Sequence, residues 1–412
     1  MNKYFIAVIA SFAVSAYAHA LEADMFTVNT LGKTFNITTN VPNHYYPSAG
    51  IKIFTSGYPI ISGCTMIANG YCLFGVSDTK PASISFSGGE GSVDFNLCLD
   101  GTVPLSCQKY TQQVKAKHFY VTNMYATGPG GVEVCAMQSD GTLENCIPAG
   151  NSINNFNGPA SISINAANTM AYVVNYPGTS ISVCPIASDG TFANCIQNLT
   201  FNFSYGGSAI SPDGRTLFVT NYNTQTVDAC SIDPSNGTLG SCVDTGAGAG
   251  STYTPYGMIL NKMGTVAYVS NLGTAPNKVA VCAVTGTTFS CTDSGGAFAA
   301  PIGLAFSADE SQVYVTNTMV SPPWVYYSIS VCDVGPGGSL GCLDSGFGAS
   351  SEPWGILVDG PNAKAYVSNI QDNSVTLCSI SADPSSKGQL NACIDSGVGG
   401  NFNGPAMMVI SE

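Results

Sequence analysis

Cysteine is the residue whose chemistry is easiest to infer from spacing in this chain. Sixteen cysteines occur among 412 residues, and they fall into eight close pairs. Outside the reducing cytosol such pairs oxidise to disulfides. Free buried thiols and metal binding are the alternatives, but no histidine accompanies the pairs, and the spacing is poor for zinc. We therefore predict no metal site and eight local disulfides, which are Cys64–Cys72, Cys98–Cys107, Cys135–Cys146, Cys184–Cys195, Cys230–Cys242, Cys282–Cys291, Cys332–Cys342 and Cys378–Cys393.

The turns between paired cysteines indicate how these disulfides form. In two of the pairs the midpoint falls on an Asp-Gly dipeptide, at 140–141 and 189–190. A two-residue Asp-Gly turn would place each cysteine opposite its partner on antiparallel strands. Opposed Cα atoms lie about 4.5–5.5 Å apart, a distance that a disulfide spans. The pattern predicts a disulfide across each hairpin.

A strand that ends in asparagine recurs six times and reveals a long repeat. Successive copies begin 46 to 52 residues apart, a period typical of propeller blades or solenoid turns. In each repeat the first cysteine lies in a strand with apolar residues on both faces, which predicts a strand between two neighbouring sheets. The copies are Phe119–Asn123, Ala171–Asn175, Leu217–Asn221, Ala267–Asn271, Val313–Asn317 and Ala365–Asn369.

Each repeat also contains a short strand that begins near a Pro-x-Gly sequence, as at Pro255, Pro301 and Pro353. Four short strands in about 45–50 residues are typical of a β-propeller blade. The last such strand, Pro405–Ser411, can pair beside Phe119–Asn123 and complete the first blade. We therefore predict an all-β protein with a six-bladed β-propeller over residues 118–412, and seven blades remain the alternative.

These repeats resemble the YVTN-type β-propeller proteins that bacteria secrete. The resemblance covers residues 119–412 and rests on Tyr-Val-Thr/Ser-Asn, Val-x-Val-Cys, Asp-Gly-Thr-Leu and Pro-x-Gly-Ile sequences. It implies the propeller fold. For function it implies a wider range, because related propellers include lactonases, carrier and binding proteins, and surface proteins. Such propellers more often have seven blades, and a seventh blade here would have to come from residues before 119.

The first 117 residues have a different character. Residues 1–20 are typical of a signal peptide, with Lys3 ahead of an apolar run and small residues at a cleavage site. Residues 21–117 contain short alternating strands that lack the asparagine-ended repeat, which predicts a small antiparallel β-sandwich-like accessory domain. No later stretch is long and apolar enough for a transmembrane helix. We predict a secreted, periplasmic or cell-surface protein.

Charge and histidine content limit the possible functions. Twelve Lys and Arg against 25 Asp and Glu give a net charge of −13, so the chain cannot neutralise nucleic-acid phosphates. His44 and His118 fall in different predicted domains, and Arg215, in a turn, is the only arginine. A Ser/His/Asp triad or a multi-histidine metal site cannot be assembled from the propeller. We predict no catalytic residue and no cofactor.

The favoured function is a non-enzymatic module that binds an extracellular or periplasmic protein or glycan. A lactonase-like propeller hydrolase is one alternative, and a structural envelope protein is another. Aromatic and asparagine side chains cluster in the loops that lead into the innermost strands, where rings and amides suit sugars or extended peptides. The alternative is that these rings only plug the channel. The candidate binding residues are Asn155, Phe156, Asn157, Tyr205, Tyr253, Tyr256, Phe298, Trp354, Phe402 and Asn403.

Overall fold

The computed structural model describes residues 26–411 apart from short segments, and the predicted signal peptide and His44 lie outside it. The segments left out are 32–33, 41, 43–44, 68–69, 87–90, 100–106, 115–116, 139, 151–155, 177–178, 199–204, 248–253, 273–277, 322–323, 349–351 and 397–399. The chain divides into two compact units, residues 1–116 and residues 117–412. No helix among the described residues has the length and apolar character needed to span a membrane.

The first unit contains two antiparallel sheets around one core. Its strands are β1 (Phe26–Leu31), β2 (Thr34–Thr39), β3 (Tyr45–Ile53), β4 (Ile60–Ser62), β5 (Thr65–Met66), β6 (Cys72–Ser77), β7 (Ala82–Phe86), β8 (Gly91–Cys98) and β9 (Cys107–Val114). One sheet has the order β1-β2-β7-β4 and the other β5-β6-β3-β8-β9. Alternate residues of β2 and β7 are buried, as the period of a strand dictates. Phe35 from one sheet stacks on Phe95 from the other, which places the core between them.

The described residues of the second unit form six four-stranded antiparallel sheets. The strands are given in order from the innermost outward. Sheet I contains β33 (Pro405–Ile410), β10 (His118–Asn123), β11 (Val132–Met137) and β12 (Leu143–Pro148), and sheet II contains β13 (Pro159–Ile164), β14 (Met170–Asn175), β15 (Ile181–Pro185) and β16 (Ile196–Asn198). Sheet III contains β17 (Tyr205–Ile210), β18 (Thr216–Asn221), β19 (Thr226–Ile232) and β20 (Leu239–Asp244), and sheet IV contains β21 (Pro255–Leu260), β22 (Val266–Asn271), β23 (Lys278–Thr285) and β24 (Thr288–Asp293). Sheet V contains β25 (Pro301–Phe306), β26 (Gln312–Ser321), β27 (Trp324–Val334) and β28 (Leu340–Asp344), and sheet VI contains β29 (Pro353–Asp359), β30 (Lys364–Asn369), β31 (Ser374–Ile380) and β32 (Leu390–Asp395). Short 3-10 turns lie at Gly128–Gly131, Pro336–Gly338 and Gly360–Asn362.

The innermost strands surround a channel. Each contacts the innermost strand of the next sheet, and β33 contacts both β29 and β13. Residues from all six strands line the same cavity. The predicted pairing of the carboxyl-terminal strand is confirmed, because Phe119 lies opposite Ile410 and Asn123 opposite Pro405. The second unit therefore has a β-propeller fold.

Glycine in the Pro-x-Gly sequence is required by the close approach of neighbouring inner strands. A Cβ atom on Gly257 would lie 2.0 Å from the carbonyl oxygen of Ile302 in the next sheet, and one on Gly355 would lie 2.2 Å from that of Ala406. The hydroxyl of Ser270 joins the two strands, since it accepts from the Gly257 N–H at 2.8 Å and donates to the Ile302 carbonyl at 2.7 Å. The glycine and the Thr/Ser of the repeat thus form one contact.

The tyrosine of the repeated strand links its sheet to the next sheet at five of the six junctions. Its ring is buried, and its hydroxyl donates a hydrogen bond to the carbonyl of a glycine in the outer hairpin of the following sheet, as from Tyr120 to Gly190 at 2.8 Å. The same bond is made by Tyr172, Tyr268, Tyr314 and Tyr366. Sheet III has Phe218 at this position. The hairpin that faces it carries one of the shortest disulfide loops, and Phe218 packs on Phe289 with ring centroids 5.0 Å apart.

All eight predicted disulfides are confirmed, with Cα–Cα distances between 3.9 and 5.4 Å. The predicted two-residue Asp-Gly turn is wrong. Gln138 donates its N–H to the Thr142 carbonyl, so the loop has three residues. A bulge at Asn145, which has a φ of 50°, takes up the extra residue and restores Cys146 to its position beside Cys135.

Candidate functional site

The upper mouth is the end of the channel at which the inner strands begin. The second residue of each inner strand lies at this end, and its size differs around the ring. Sheets IV, V and VI supply Tyr256, Ile302 and Trp354, whereas sheets I, II and III supply only alanine or glycine. Tyr256 and Trp354 meet edge to face with ring centroids 5.6 Å apart. The large residues therefore form an aromatic floor on one side of the mouth.

Tyrosines from the opposite sheets approach this floor. Burial raises the pKa of Tyr256, and the nearby Tyr176 and Tyr125 hydroxyls raise it further. Tyr176 directly follows the repeated Asn175, and Tyr125 lies two residues after Asn123. Each therefore lies at the turn between the second and third strands of its sheet. Tyr125 is exposed, and Tyr222 occupies the same kind of position in sheet III. Sequence reasoning missed Tyr125, Tyr176 and Tyr222, although their position within two residues of the end of the asparagine-ended strand could have indicated them.

Four buried polar atoms beside the floor have no hydrogen-bond partner among the described residues. The indole N–H of Trp354 lies close enough to Tyr256 to lower its pKa, but it makes no hydrogen bond of ordinary geometry. The other atoms are Thr254 Oγ1, Asn271 Oδ1 and Asn369 Oδ1. Buried polar groups are nearly always paired. Both donors and acceptors thus remain unsatisfied in the part of the mouth that sheets IV and VI supply.

The repeated asparagines have a structural role in most sheets. The Oδ1 of Asn175 accepts from the backbone of Asn157, and its Nδ2 donates to Ser182. Asn123 and Asn317 accept backbone N–H groups of entering loops in the same way, and Asn221 accepts from its own turn. These bonds hold the loops at the upper mouth and do not form a ring of free ligands.

The predicted binding residues fall into distinct environments. Phe156 is fully buried against Phe192, and Phe402 is buried in the core between sheets VI and I, so both rings act in packing. Phe298 is half-buried beside Gly296. Asn157 and Asn403 are exposed and are held by their backbone N–H groups. Among the predicted binding residues that the structure describes, Tyr256 and Trp354 are the pair whose side chains from different sheets meet at the mouth. Asn155, Tyr253 and the side chain of Tyr205 lie outside the described residues.

A carboxyl group stands next to this floor. Glu352 directly precedes Pro353 at the start of β29, and Gln371 donates a short hydrogen bond to its carboxylate. Burial raises the pKa of Glu352, and this hydrogen bond opposes the rise. The amide of Gln371 also lies 3.5 Å from the Tyr327 hydroxyl. Glu352 is therefore one titratable group of the upper end whose pKa is raised by burial, and Glu133 in sheet I and Asp228 in sheet III are others.

The upper end of the propeller is acidic. The outermost strands of sheets III to VI each end there in an aspartate: Asp244, Asp293, Asp344 and Asp395. Among the six lysines and arginines of the second unit, only Lys278 lies at this end, and it is paired with Asp293. The field at the upper mouth disfavours anionic ligands.

A cluster that resembles a metal site in composition is not one. Glu133 lies beside Cys135 and Cys146, but the two cysteines form a disulfide, so no thiolate is available to a metal. The Glu133 side chain is buried, with a backbone hydrogen bond from Asn401, and its Oε2 has no partner among the described residues. Burial raises the pKa of Glu133.

Comparison with known proteins supports the fold. A scan against protein-family models finds no match, and neither does a search of curated proteins, so the YVTN resemblance rests on the repeated residues alone. Among solved structures, the periplasmic gluconolactonase PpgL of Pseudomonas aeruginosa is similar at 16% identity with a TM-score of 0.50, over 72% of this chain and 99% of that one. A chain of the nidogen/laminin complex is similar at 14% identity with a TM-score of 0.53, over 72% and 98%. At such low identities the structural similarity shows the fold alone, and it supports a β-propeller.

Proposed function

We propose that this protein is an exported, six-bladed β-propeller that binds a neutral sugar-type ligand at its upper mouth without turnover. In this proposal residues 1–20 direct export, residues 21–117 form a β-sandwich-like accessory domain and residues 118–412 form the closed ring. The eight disulfides support a location outside the cytosol. The signal peptide is an expectation from the sequence.

The observation that carries the proposal is the aromatic floor with its unsatisfied polar atoms. Aromatic faces pack on the C–H surfaces of a sugar ring, and Trp354 is only partly buried. Hydroxyl groups both donate and accept hydrogen bonds, so they complement the Trp354 N–H and the Thr254 hydroxyl together. The acidic surroundings favour neutral sugars over sulfated or phosphorylated ones.

A glycan array with the mature protein tests this proposal. Binding to neutral glycans is expected, with little binding to sulfated ones. The Trp354→Ala variant should lose at least tenfold in affinity while its melting temperature stays close to that of the wild type. Ile196→Ala, an exposed residue on the outer strand β16, is the matched control and should bind normally. If Trp354→Ala binds neutral glycans as tightly as Ile196→Ala does, the upper mouth is not the binding site.

Lactone hydrolysis is the second candidate, and Glu352 is the observation that favours it. A carboxyl group with a raised pKa can act as a general base toward water. The similar structure from Pseudomonas aeruginosa is described as a periplasmic gluconolactonase. Hydrolysis of glucono-δ-lactone above the spontaneous rate, lost in Glu352→Gln, would favour the enzyme. Sugar binding without such hydrolysis would favour the non-enzymatic function.

A further inference from the structure

The lower mouth, where the inner strands end, has an apolar lining. The last or second-last residue of every inner strand is a large apolar side chain that is only half-buried: Ile164, Ile210, Leu260, Phe306, Val358 and Ile410. Six equivalent positions thus bring hydrocarbon to one end of the channel. Apolar surface gathered in one accessible place marks a site for an apolar partner or ligand.

The channel behind this lining is large enough for a chain-like ligand. The cavity between the inner strands has a volume of about 370 Å³, and Leu260, Phe306 and Val358 are among its lining residues. That volume equals roughly a dozen water molecules at about 30 Å³ each. Water in a cavity needs two to four polar partners, and the serines that line this one, Ser161, Ser163 and Ser208, already bond one another. An apolar ligand that enters such a space is favoured over poorly bonded water.

A second cavity of about 360 Å³ continues from the channel at the lower mouth. It shares Ile164, Val358 and Val409 with the channel and adds polar groups from Asn165 and Asn168. It also adds one charged pair, Lys117 and Asp359. The lower mouth therefore combines an apolar interior with a charged rim, which is the arrangement that an amphiphile requires.

The lysine of this pair makes no side-chain hydrogen bond to the part of the chain that the structure describes. The Lys117 side chain is only 19% exposed, and its Nζ lies 3.9 Å from Asp359 Oδ1, beyond hydrogen-bond distance. The Asp359 carboxylate has another partner, because Asn362 Nδ2 donates to its Oδ2 at 2.6 Å. An ammonium group offers three donors. The pair can thus accept one further anionic group on the Lys117 side.

We propose that the lower mouth binds an aliphatic monocarboxylate. Its carboxylate accepts hydrogen bonds from the Lys117 ammonium, and its alkyl chain enters the channel past Val358 and Ile164. A single negative charge fits better than a dianionic phosphate monoester, because Asp359 lies beside Lys117, the cation among the described residues that line this cavity. This site lies at the opposite end of the channel from the proposed sugar site and does not depend on it.

Calorimetric titration of the mature protein with straight-chain carboxylates, below micelle-forming concentrations, tests the proposal. Saturable binding with one site per chain is expected for dodecanoate. Affinity should rise roughly three- to fourfold for each added methylene until the channel is filled. Dodecyl phosphate should bind at least tenfold more weakly than dodecanoate. Heat that does not saturate, or affinity that does not depend on chain length, would overturn the proposal.

Variants test separately the Lys117 ammonium, which binds the carboxylate, and the apolar channel, which binds the alkyl chain. Lys117→Gln should weaken dodecanoate at least tenfold and leave dodecanol unchanged. Lys262→Gln is the control, because Lys262 lies at the same end but bonds the Ala308 carbonyl outside the cavity. Val358→Ser places a hydroxyl group where the alkyl chain passes and should weaken both ligands. If Val358→Ser fails to fold, the chain-length series still tests the apolar channel, and unchanged dodecanoate binding in Lys117→Gln refutes the role of Lys117 in binding the carboxylate.

Discussion

The hydroxyl of Tyr366 donates a hydrogen bond of 2.7 Å to the carbonyl oxygen of Gly141, 225 residues earlier in the chain. Both residues are buried, and Gly141 has a φ of 93° that favours glycine. At four of the five other junctions the same bond joins neighbouring repeats, whereas here it joins the last repeat to the first. Leu143 adds a backbone hydrogen bond to the Ser396 carbonyl across the same junction. Ring closure thus uses the same contacts as the other junctions.

Removal of this hydroxyl should weaken the junction. Tyr366→Phe leaves the buried Gly141 carbonyl without its partner, which costs about 1–3 kcal/mol of unfolding free energy. Urea unfolding measures the loss. Tyr172→Phe, which breaks the equivalent bond to Gly237, is the comparison variant and should lose a similar amount. An unchanged midpoint for Tyr366→Phe would show that the closing bond contributes nothing to stability.

The carboxyl-terminal strand provides a stronger test of closure. Deletion of residues 405–412 removes β33 and leaves the edge of β10 unpaired. Exposed strand edges template aggregation. We expect a melting temperature lowered by at least 10 °C or outright aggregation, measured by thermal denaturation with light scattering. A deletion variant that melts like the full chain would contradict the ring.

Local spacing explains why the disulfides and the closing strand could be predicted. Cysteine pairs and strand periodicity depend on residues close in sequence. The closing strand could be predicted because the first repeat lacked an inner strand, which β33 at the end of the repeats could supply. The bulge at Asn145 could not be predicted, because the position of an extra residue in a hairpin depends on the loop that closes it. The residues of the candidate site were harder to predict from the sequence. Phe156 and Phe402 lie in loops three residues before inner strands, at the upper mouth, yet their rings turn into the core. Sequence position does not determine that direction.

The repeated glycine provides a test of inner-strand packing. In Gly257→Ala the new methyl group would lie 2.0 Å from the Ile302 carbonyl oxygen, so the inner strands of sheets IV and V must separate. We expect a loss of more than 2 kcal/mol, since overpacking typically costs about 1–3 kcal/mol and this contact involves rigid backbone. Gly341→Ala is the control, because nothing lies within 4 Å of its added Cβ. Similar melting temperatures for the two variants would refute the packing argument.

Glu133 should make stability depend on pH. Burial raises the folded-state pKa of this carboxyl above its ordinary value of 4.5, so the folded protein favours the protonated form. Its contribution is fully present below that ordinary value and is lost as pH rises through the raised folded value. Glu133→Gln keeps the shape and removes the charge, so it should raise the melting temperature at pH 7 and change it little at pH 4. Glu144→Gln, an exposed carboxylate on the adjacent strand β12, is the control and should show no such pH-dependent gain. Melting curves of the three proteins from pH 4 to 8 decide the matter, because an equal gain at both pH values would mean that the ionised carboxylate is not what destabilises the junction of sheets VI and I.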